Sequence, residues 1–331
     1  MTDRYLVTGA GGFVGSFVVR ELLARGKHVR AMVRPGTLEK HSKILSNQNL
    51  EFVEADLNDY ESLLKATSGC IGVFHLAALF RQINVPDEEY YNVNARGVEW
   101  LLNASIAAGV KRVIHCSTIG VVSSIENPPG DETLPYSPCD IYQVSKVEGE
   151  KAALRYFKEG KIGGVVIRPA MIYGPGDSRT RKLFQMISRQ RFFFVGSGNI
   201  LVHWIDVRDL ARAFCLAMEH EERSGEVYII AGQKSLSLKE FVDIVARELG
   251  VARPWLHLPV KPMQWLGLLC EFICRPFGVA PPLYKRRVDF FIKNRGFSVA
   301  KAKEHLGFSP AKELNEEIRD ILESYKVSGT L

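Results

Sequence analysis

The chain has 331 residues, 46% of them apolar, and a mean hydropathy of −0.03. That profile suits one large globular domain with an appended lobe better than two independent domains. Its 43 Lys and Arg against 37 Asp and Glu leave a net charge of +6, enough to favour anionic ligands such as phosphates without requiring nucleic acid. No basic stripe interleaved with aromatics occurs, so no nucleic-acid partner is expected.

The segment "MTDRYLVTGAGG" enters a strand almost at once, and no uninterrupted apolar run has the length of a membrane-spanning helix. The expectation is a cytoplasmic protein, at most peripherally attached to a membrane. Cys70, Cys116, Cys139, Cys215, Cys270 and Cys274 form no C-x-x-C pair. Cys116, Cys215, Cys270 and Cys274 stand in apolar runs, which predicts buried, reduced thiols and no metal site.

In chain order, short β-branched runs alternate with helical segments. "YLVT" (5–8) predicts a strand and "FVGSFVVRELLARG" the helix after it. "HVRAMVR" (28–34), "LEFVEA" (50–55), "IGVFHLA" (71–77), "RVIHCS" (112–117) and "GVVIRP" (164–169) predict further strands. Helices are expected near 59–68, across 87–108 and around 140–159. This alternation predicts an α/β fold, a Rossmann-type doubly wound parallel sheet. The strands are apolar throughout, as a sheet covered on both faces requires.

After 170 the rhythm breaks in "AMIYGPGDSRTRKL" and "FFFVGSGN", whose Gly and Pro mark loops. A strand and helix return at "HWIDVRDLARAFCLAM", then "EVYIIAG", and helices dominate from 233 onward. The expected division is a dinucleotide-binding domain over 1–169, with 201–231 returning to it. Residues 170–200 and 232–331 then form a smaller, mainly helical C-terminal substrate lobe.

"TGAGGFVG" sets Gly9, Gly12 and Gly15 between the first strand and the first helix, where Phe13 and Val14 open the helix. Glycine lets the backbone turn tightly and approach a pyrophosphate, and the helix N-terminus offers it free N–H groups. The flanking strand and helix are the context that makes the pattern a dinucleotide cradle. Strand two ends in Arg34, with Lys40 and Lys43 close behind. A basic residue there suits a 2′-phosphate, so NADP(H) is favoured, with NAD(H) the alternative. "ADL" (55–57) follows strand three and places Asp56 and Leu57 for the adenine.

"DIYQVSK" (140–146) carries Tyr142 and Lys146 one helical turn apart, on one face. It stands in series with "TGAGGFVG", "HLAA" (75–78), "CSTIGV" (116–121), "RPAMIYGPGD" (168–177), "HWIDVRDLA" (203–211) and "LGFSP" (306–310). With these motifs in this order, the sequence resembles the extended short-chain dehydrogenase/reductase superfamily. The resemblance implies that Tyr142 is the acid/base, that Lys146 assists it and that Lys146 also holds the cofactor ribose. It implies further cofactor contacts from Ala77, Ala78 and Pro169, and substrate contacts from Thr118, Met171 and Tyr173. Thr118 stands where the family usually has the second serine of a pair, and Ser117 precedes it, so the active hydroxyl is either of the two. A tyrosine ionises near pH 10, and working near pH 7 asks for about 4 kcal/mol of differential stabilisation. The Lys146 ammonium is the expected source.

Sugar-nucleotide epimerases resemble the first half equally well. They commonly carry Asn where this chain has Met171, and Arg where it has Val202. "LPVKPMQWLGLLCEFICRPFGVAPPLYKRRVDFF" resembles instead the 3β-hydroxysteroid and sterol-4α-carboxylate dehydrogenase branch, while the N-terminal half resembles dihydroflavonol reductases. The expected substrate is a hydrophobic, sterol-like alcohol or ketone. An NDP-sugar epimerase/dehydratase, a dihydroflavonol reductase-like ketone reductase and a redox-sensing regulator are the alternatives. Trp265, Leu268, Leu269 and Phe272 fall at helical spacing, as substrate-facing or core residues would. The basic residues Arg275, Lys285, Arg286, Arg287, Lys293 and Arg295 follow, so this segment could also rest on an anionic membrane. By resemblance, the helices near 87–108 and 140–159 pair two copies into a homodimer.

Overall fold

The computed structural model describes residues 3–42, 47–82, 85–274, 283 and 285–329, without the side chains of Ser42 and residues 285–287. Lys43, Arg275 and the side chains of Lys285, Arg286 and Arg287, all invoked above, lie outside that description.

The centre is a seven-stranded, wholly parallel sheet. Strands β1 (Arg4–Thr8), β2 (His28–Val33), β3 (Leu50–Glu54), β4 (Gly72–His75), β5 (Arg112–Cys116) and β6 (Gly163–Pro169) are joined by the returning strand Val227–Ile230. The order across the sheet is Val227–Ile230, β6, β5, β4, β1, β2, β3. Chain progression therefore reverses beside β1, between β4 and β2, and such a switch point opens a crevice at the strands' carboxyl ends.

One face of the sheet is covered by helix α1 (Phe13–Ala24), through Val18, Val19 and Leu22, and by helix Val207–Glu219, through Leu210, Phe214 and Cys215. The other buries Leu63, Leu101, Leu102, Ala153 and Phe157 from three further helices. Burial on both faces explains the continuous apolar strands seen in the sequence.

Helix starts follow local chemistry. Asp59, Asp140, Asp177 and Asp206 each accept backbone N–H groups at the first turn of the helix that follows. Ser237 and Glu240 form a reciprocal capping box on helix Leu238–Leu249. The helix expected across 87–108 contains one wide π turn, Asn92–Arg96, between Asp87–Tyr91 and Gly97–Ala107.

A third core lies beyond the sheet's carboxyl edge, built from Tyr173, Phe184, Phe194, Val202, Trp204, Phe241, Ile318 and Tyr325 among others. Phe297, Ala302, Leu306 and Phe308 pack into the sheet's own core, although they fall in the segment assigned to the lobe. Helix Val260–Cys274 corrects a second expectation. Trp265, Leu268, Leu269 and Phe272 form no part of the lobe core and stand exposed. Of the four thiols expected to be buried, Cys215 is, whereas Cys116 and, on this helix, Cys270 and Cys274 are only half-buried; all six thiols are free.

Candidate active site

The glycine loop closes the crevice beside β1. Gly9 holds φ +66°, and a Cβ there would sit 2.9 Å from the Ala77 backbone; one on Gly15 would fall 2.1 Å from the Gly9 carbonyl. Any side chain at either position breaks the contact between loop, helix and the β4 exit. Gly12 caps α1 without a side-chain bond, Phe13 and Val14 open the helix, and its first turn carries no acid. The N–H groups and positive dipole end are thus left for a phosphate, and the cradle fits a dinucleotide.

Thr8 joins the two walls of the crevice. Its Oγ1 accepts the N–H groups of Leu76 and Ala77, both at 3.1 Å, and lies 2.9 Å from His75 Nδ1. With both N–H groups accepted, the hydroxyl proton points to Nδ1, placing the His75 proton on Nε2. Burial, aided by Lys146, lowers the His75 pKa to about 3. His115, beside it on β5 at 5.2 Å between ring centroids, is also held neutral by burial and then by Lys146.

The remaining cofactor-side residues are spread along the strand ends. Arg34 is exposed directly after β2, and Lys40 is exposed nearby. The Glu54 carboxylate accepts from Gly36 and Leu38 N–H, and so is engaged in holding the loop that follows Arg34. Asp56 is half-buried and accepts from Asn58 N–H, while Leu57 is buried beside Gly97. Ala77 is half-buried, Ala78 is exposed, and Pro169 is buried at the end of β6. His41, not singled out in the sequence, lies over the loop at Gly11, where an added Cβ would meet its ring at 2.3 Å.

Helix Ile141–Lys158 brings Tyr142, Lys146 and Glu150 onto one face at four-residue spacing. Lys146 Nζ donates to the Cys116 carbonyl at 2.7 Å, fixing the ammonium at the end of β5. Burial lowers the Lys146 pKa, opposed by Cys116 and Glu150. Burial also raises the Tyr142 pKa, with Cys116 next, partly opposed by Arg81. The expected lowering of the phenol pKa by Lys146 is not present here: Lys146 is turned to a backbone carbonyl, and burial sets the direction of the Tyr142 shift.

The two candidate hydroxyls part company. Ser117 is buried and donates to Glu150, a carboxylate that also receives Tyr136 OH at 2.9 Å and Arg168 at 2.6 Å. Thr118 Oγ1 accepts from Gly120 N–H at 3.0 Å, which leaves its own proton free to donate. A Cβ on Gly120 would lie 3.3 Å from Thr118 Oγ1 and 3.2 Å from the Gln143 side chain, so the Thr118 turn abuts the start of the Tyr142 helix.

Four contributors were absent from the sequence reading. Glu150 fixes Ser117, and Asn94 donates to Leu79 O and Ser145 Oγ while accepting from Leu79 N–H. Asn94 thereby ties the loop after β4 to the Tyr142 helix. Phe80 meets the Tyr142 ring edge-on at 5.0 Å, and the Arg81 guanidinium lies 5.1 Å from that ring while paired with Asp140 at 2.9 Å. An asparagine inside a helical stretch, as in "NVNARG", is the one sequence signal that could have flagged Asn94, because Asn is costly there without a bond to make.

Tyr173 is a correction. It is fully buried, donates to Glu317 and packs on Trp204 at 5.5 Å, so it belongs to the lobe core and not to a substrate surface. Met171 is half-buried between the sheet and lobe cores. Among the described residues, no group of three or more His, Cys, Asp or Glu is placed to hold a metal ion.

A doubly wound sheet with this crevice and proton-transfer helix defines a nicotinamide-dinucleotide oxidoreductase. The chain belongs to the NAD dependent epimerase/dehydratase family, whose pattern matches residues 5–231, and is an NAD(P)-dependent dehydrogenase/reductase of the short-chain type. It is 31% identical to the 3beta-hydroxysteroid-dehydrogenase/decarboxylase isoform 1 of Arabidopsis thaliana, over 98% of this chain and 80% of that protein. It is 32% identical to the 3-beta-hydroxysteroid dehydrogenase of Mycolicibacterium neoaurum, over 97% and 91%. The crystal structure of gox2253 superposes with a TM-score of 0.82 at 29% identity, covering all of both chains. A UDP-glucose 4-epimerase from Thermotoga maritima shares the fold, at TM-score 0.77, 24% identity and 98% and 99% coverage.

Proposed function

We propose that this oxidoreductase interconverts a hydroxyl and a ketone on a hydrophobic, sterol-like substrate, with NADP(H) as the preferred cofactor. The observation that carries the chemistry is the arrangement at the end of β5. Lys146 is anchored on Cys116 O, Ser117 is withdrawn onto Glu150, and Thr118 retains a free proton at the start of the Tyr142 helix. Bound nicotinamide supplies or accepts the hydride. Thr118 donates to the substrate oxygen, and Tyr142 gives it a proton in reduction or takes one in oxidation. Lys146 keeps a positive charge beside that transfer, and Phe80 and Arg81 limit water at the phenol. In the cofactor cradle Gly9, Gly12 and Gly15 provide the close approach, while Arg34 meets the 2′-phosphate and Asp56 the adenine side.

The sterol-like reading is supported by the two steroid dehydrogenase relatives and by two apolar positions. Val202 is buried in the lobe core and Met171 is half-buried, so neither offers a polar contact to a sugar nucleotide. The proposal includes two copies pairing across the helices of residues 87–107 and 141–158, where Tyr91, Trp100 and Ile106 remain exposed. It also includes peripheral contact with a membrane, where such substrates collect.

The test is to follow NAD(P)H absorbance with 3β-hydroxysterols, apolar ketones and UDP-glucose, together with titration of both cofactors. Turnover of the apolar set, about tenfold tighter NADPH binding, and loss of that preference in Arg34→Asp are expected. Equal or better NADH binding would remove the 2′-phosphate role of Arg34. Conversion of UDP-glucose without net cofactor turnover would replace the substrate class.

A further inference from the structure

Helix Val260–Cys274 has 15 residues, of which Gly267 alone is buried. Its exposed large apolar side chains are Trp265 (74%), Leu266, Leu268, Leu269, Phe272 (79%) and Ile273, and Trp255 just before it is 82% exposed. The lobe's core is complete without them. So many large apolar groups open to water on one element mark an interaction surface.

We infer that this helix is an interfacial anchor, lying in the plane of an anionic lipid surface with Trp255 beside it. This rests on the reading of the substrate as apolar, and it names the surface through which the protein reaches that substrate. The shape of the patch selects lipid over a protein groove. A helix seated in a groove offers one stripe, at i, i+3 or i+4, and i+7. Here residues 265, 268, 269 and 272 make such a stripe, but Leu266 and Ile273 widen it along one flank. A broad apolar arc suits immersion among acyl chains.

The described helix is too short to span. Fifteen helical residues rise about 22 Å against an acyl core of about 30 Å, and among the described residues no helix is long and apolar enough to cross a membrane. Charge complements the lipid. Glu271 is the helix's one acid, Lys261 is exposed at its start, and Arg253 is exposed upstream, loosely paired with Asp243 at 3.7 Å. In the sequence, Arg275 and the run Lys285-Arg286-Arg287 follow. Basic residues beside an apolar face are drawn to anionic headgroups, each contributing about 1 kcal/mol.

The surface also leads to the cleft. Helix Val260–Cys274 packs on helix Lys285–Phe290. Just beyond that helix, Lys293 pairs with Asp289 at 3.4 Å and reaches Cys139 Sγ at 3.3 Å. Cys139 adjoins Asp140, the cap of the Tyr142 helix. A short run of chain therefore connects the lipid-facing helix to the rim of the site.

The experiment uses the full chain with phosphatidylcholine vesicles, with and without phosphatidylserine. It reads co-sedimentation, tryptophan emission and quenching by brominated acyl chains. Wild type should bind phosphatidylserine vesicles with a blue shift and quenching, more weakly at high salt. The Trp265→Ser/Phe272→Ser double variant should keep its fold by circular dichroism and bind about tenfold more weakly. Absence of wild-type binding, or equal binding by the double variant, would overturn the inference. So would vesicle-insensitive self-association abolished by the double variant, which would assign the patch to a second copy of this chain. Turnover of the apolar substrates named above, delivered in detergent without vesicles, should match wild type in the double variant. If that turnover is missing from both while vesicles still bind wild type, the reading of the substrate as apolar fails and the anchor stands.

Discussion

Helices Ile141–Lys158 and Val260–Cys274 invert each other's chemistry. The first buries Tyr142, Gln143, Ser145, Lys146 and Glu150, all polar. The second exposes Trp265, Leu268, Leu269 and Phe272, all apolar. Burying polar groups costs free energy unless they are bonded, and four of these side chains are: Lys146 to Cys116 O, Gln143 to Cys139 N–H, Ser145 to Asn94, and Glu150 to Arg168, Tyr136 and Ser117. Such a helix is a fixed instrument. Exposing apolar groups is unfavourable until something covers them, so the second helix is incomplete alone. Rigid chemistry and a surface awaiting cover occupy two different helices of one chain.

The buried side of this contrast is broken most severely by Arg168→Met. Removing the guanidinium strands the Glu150 carboxylate, and a loss of about 3–5 kcal/mol is expected from denaturant midpoints. Replacing Glu150 by Met as well should recover part of the loss. A change under about 1 kcal/mol in the single variant would mean the pair is not held as described.

The division between Ser117 and Thr118 is sharpened by comparing two variants. Thr118→Val should lower kcat about a hundredfold with cofactor affinity unchanged. Ser117→Ala should instead lower stability by about 1 kcal/mol and leave most activity. A reversal of the two results would hand the catalytic hydroxyl to Ser117.

A smaller effect belongs to the lobe core. Burial first, then Asp206 and Asp209, lift the Glu317 pKa from 4.5 to about 7, against the bond from Tyr173. The folded chain therefore holds a proton that the unfolded chain releases between those values. Its stabilising contribution is full below about pH 4.5 and is lost as pH rises through 7. Stability measured across pH 4.5–7 should fall by at most about 1.4 kcal/mol per pH unit from this group, and Glu317→Gln should flatten that slope. An unchanged slope in Glu317→Gln would assign the dependence elsewhere.

The same contrast explains what the sequence disclosed. Strand positions, the glycine loop and the Tyr142–Lys146 turn were legible because each is a local pattern standing in a recognisable order along the chain. Ser117 and Thr118 were indistinguishable there, since the choice depends on Glu150, 33 residues beyond Ser117. Tyr173 looked like a substrate residue because its motif neighbours line the site, but its hydroxyl faces Glu317 from the far end of the chain. Trp265 and Phe272 fitted a core stripe, because helical periodicity shows that a face exists without showing what it meets. Phe80 and Arg81 carry no spacing signal; their meeting with Tyr142 arises only when the β4 and β5 exits are brought side by side.

The most direct test is hydride transfer by Tyr142→Phe at saturating cofactor, with cofactor binding titrated in parallel. The phenyl ring keeps the packing against Phe80 and removes only the hydroxyl. The arrangement predicts turnover lowered about a thousandfold with cofactor affinity within a few-fold of wild type. Turnover within tenfold of wild type would show that the proton passes through another group and would contradict the site at the end of β5.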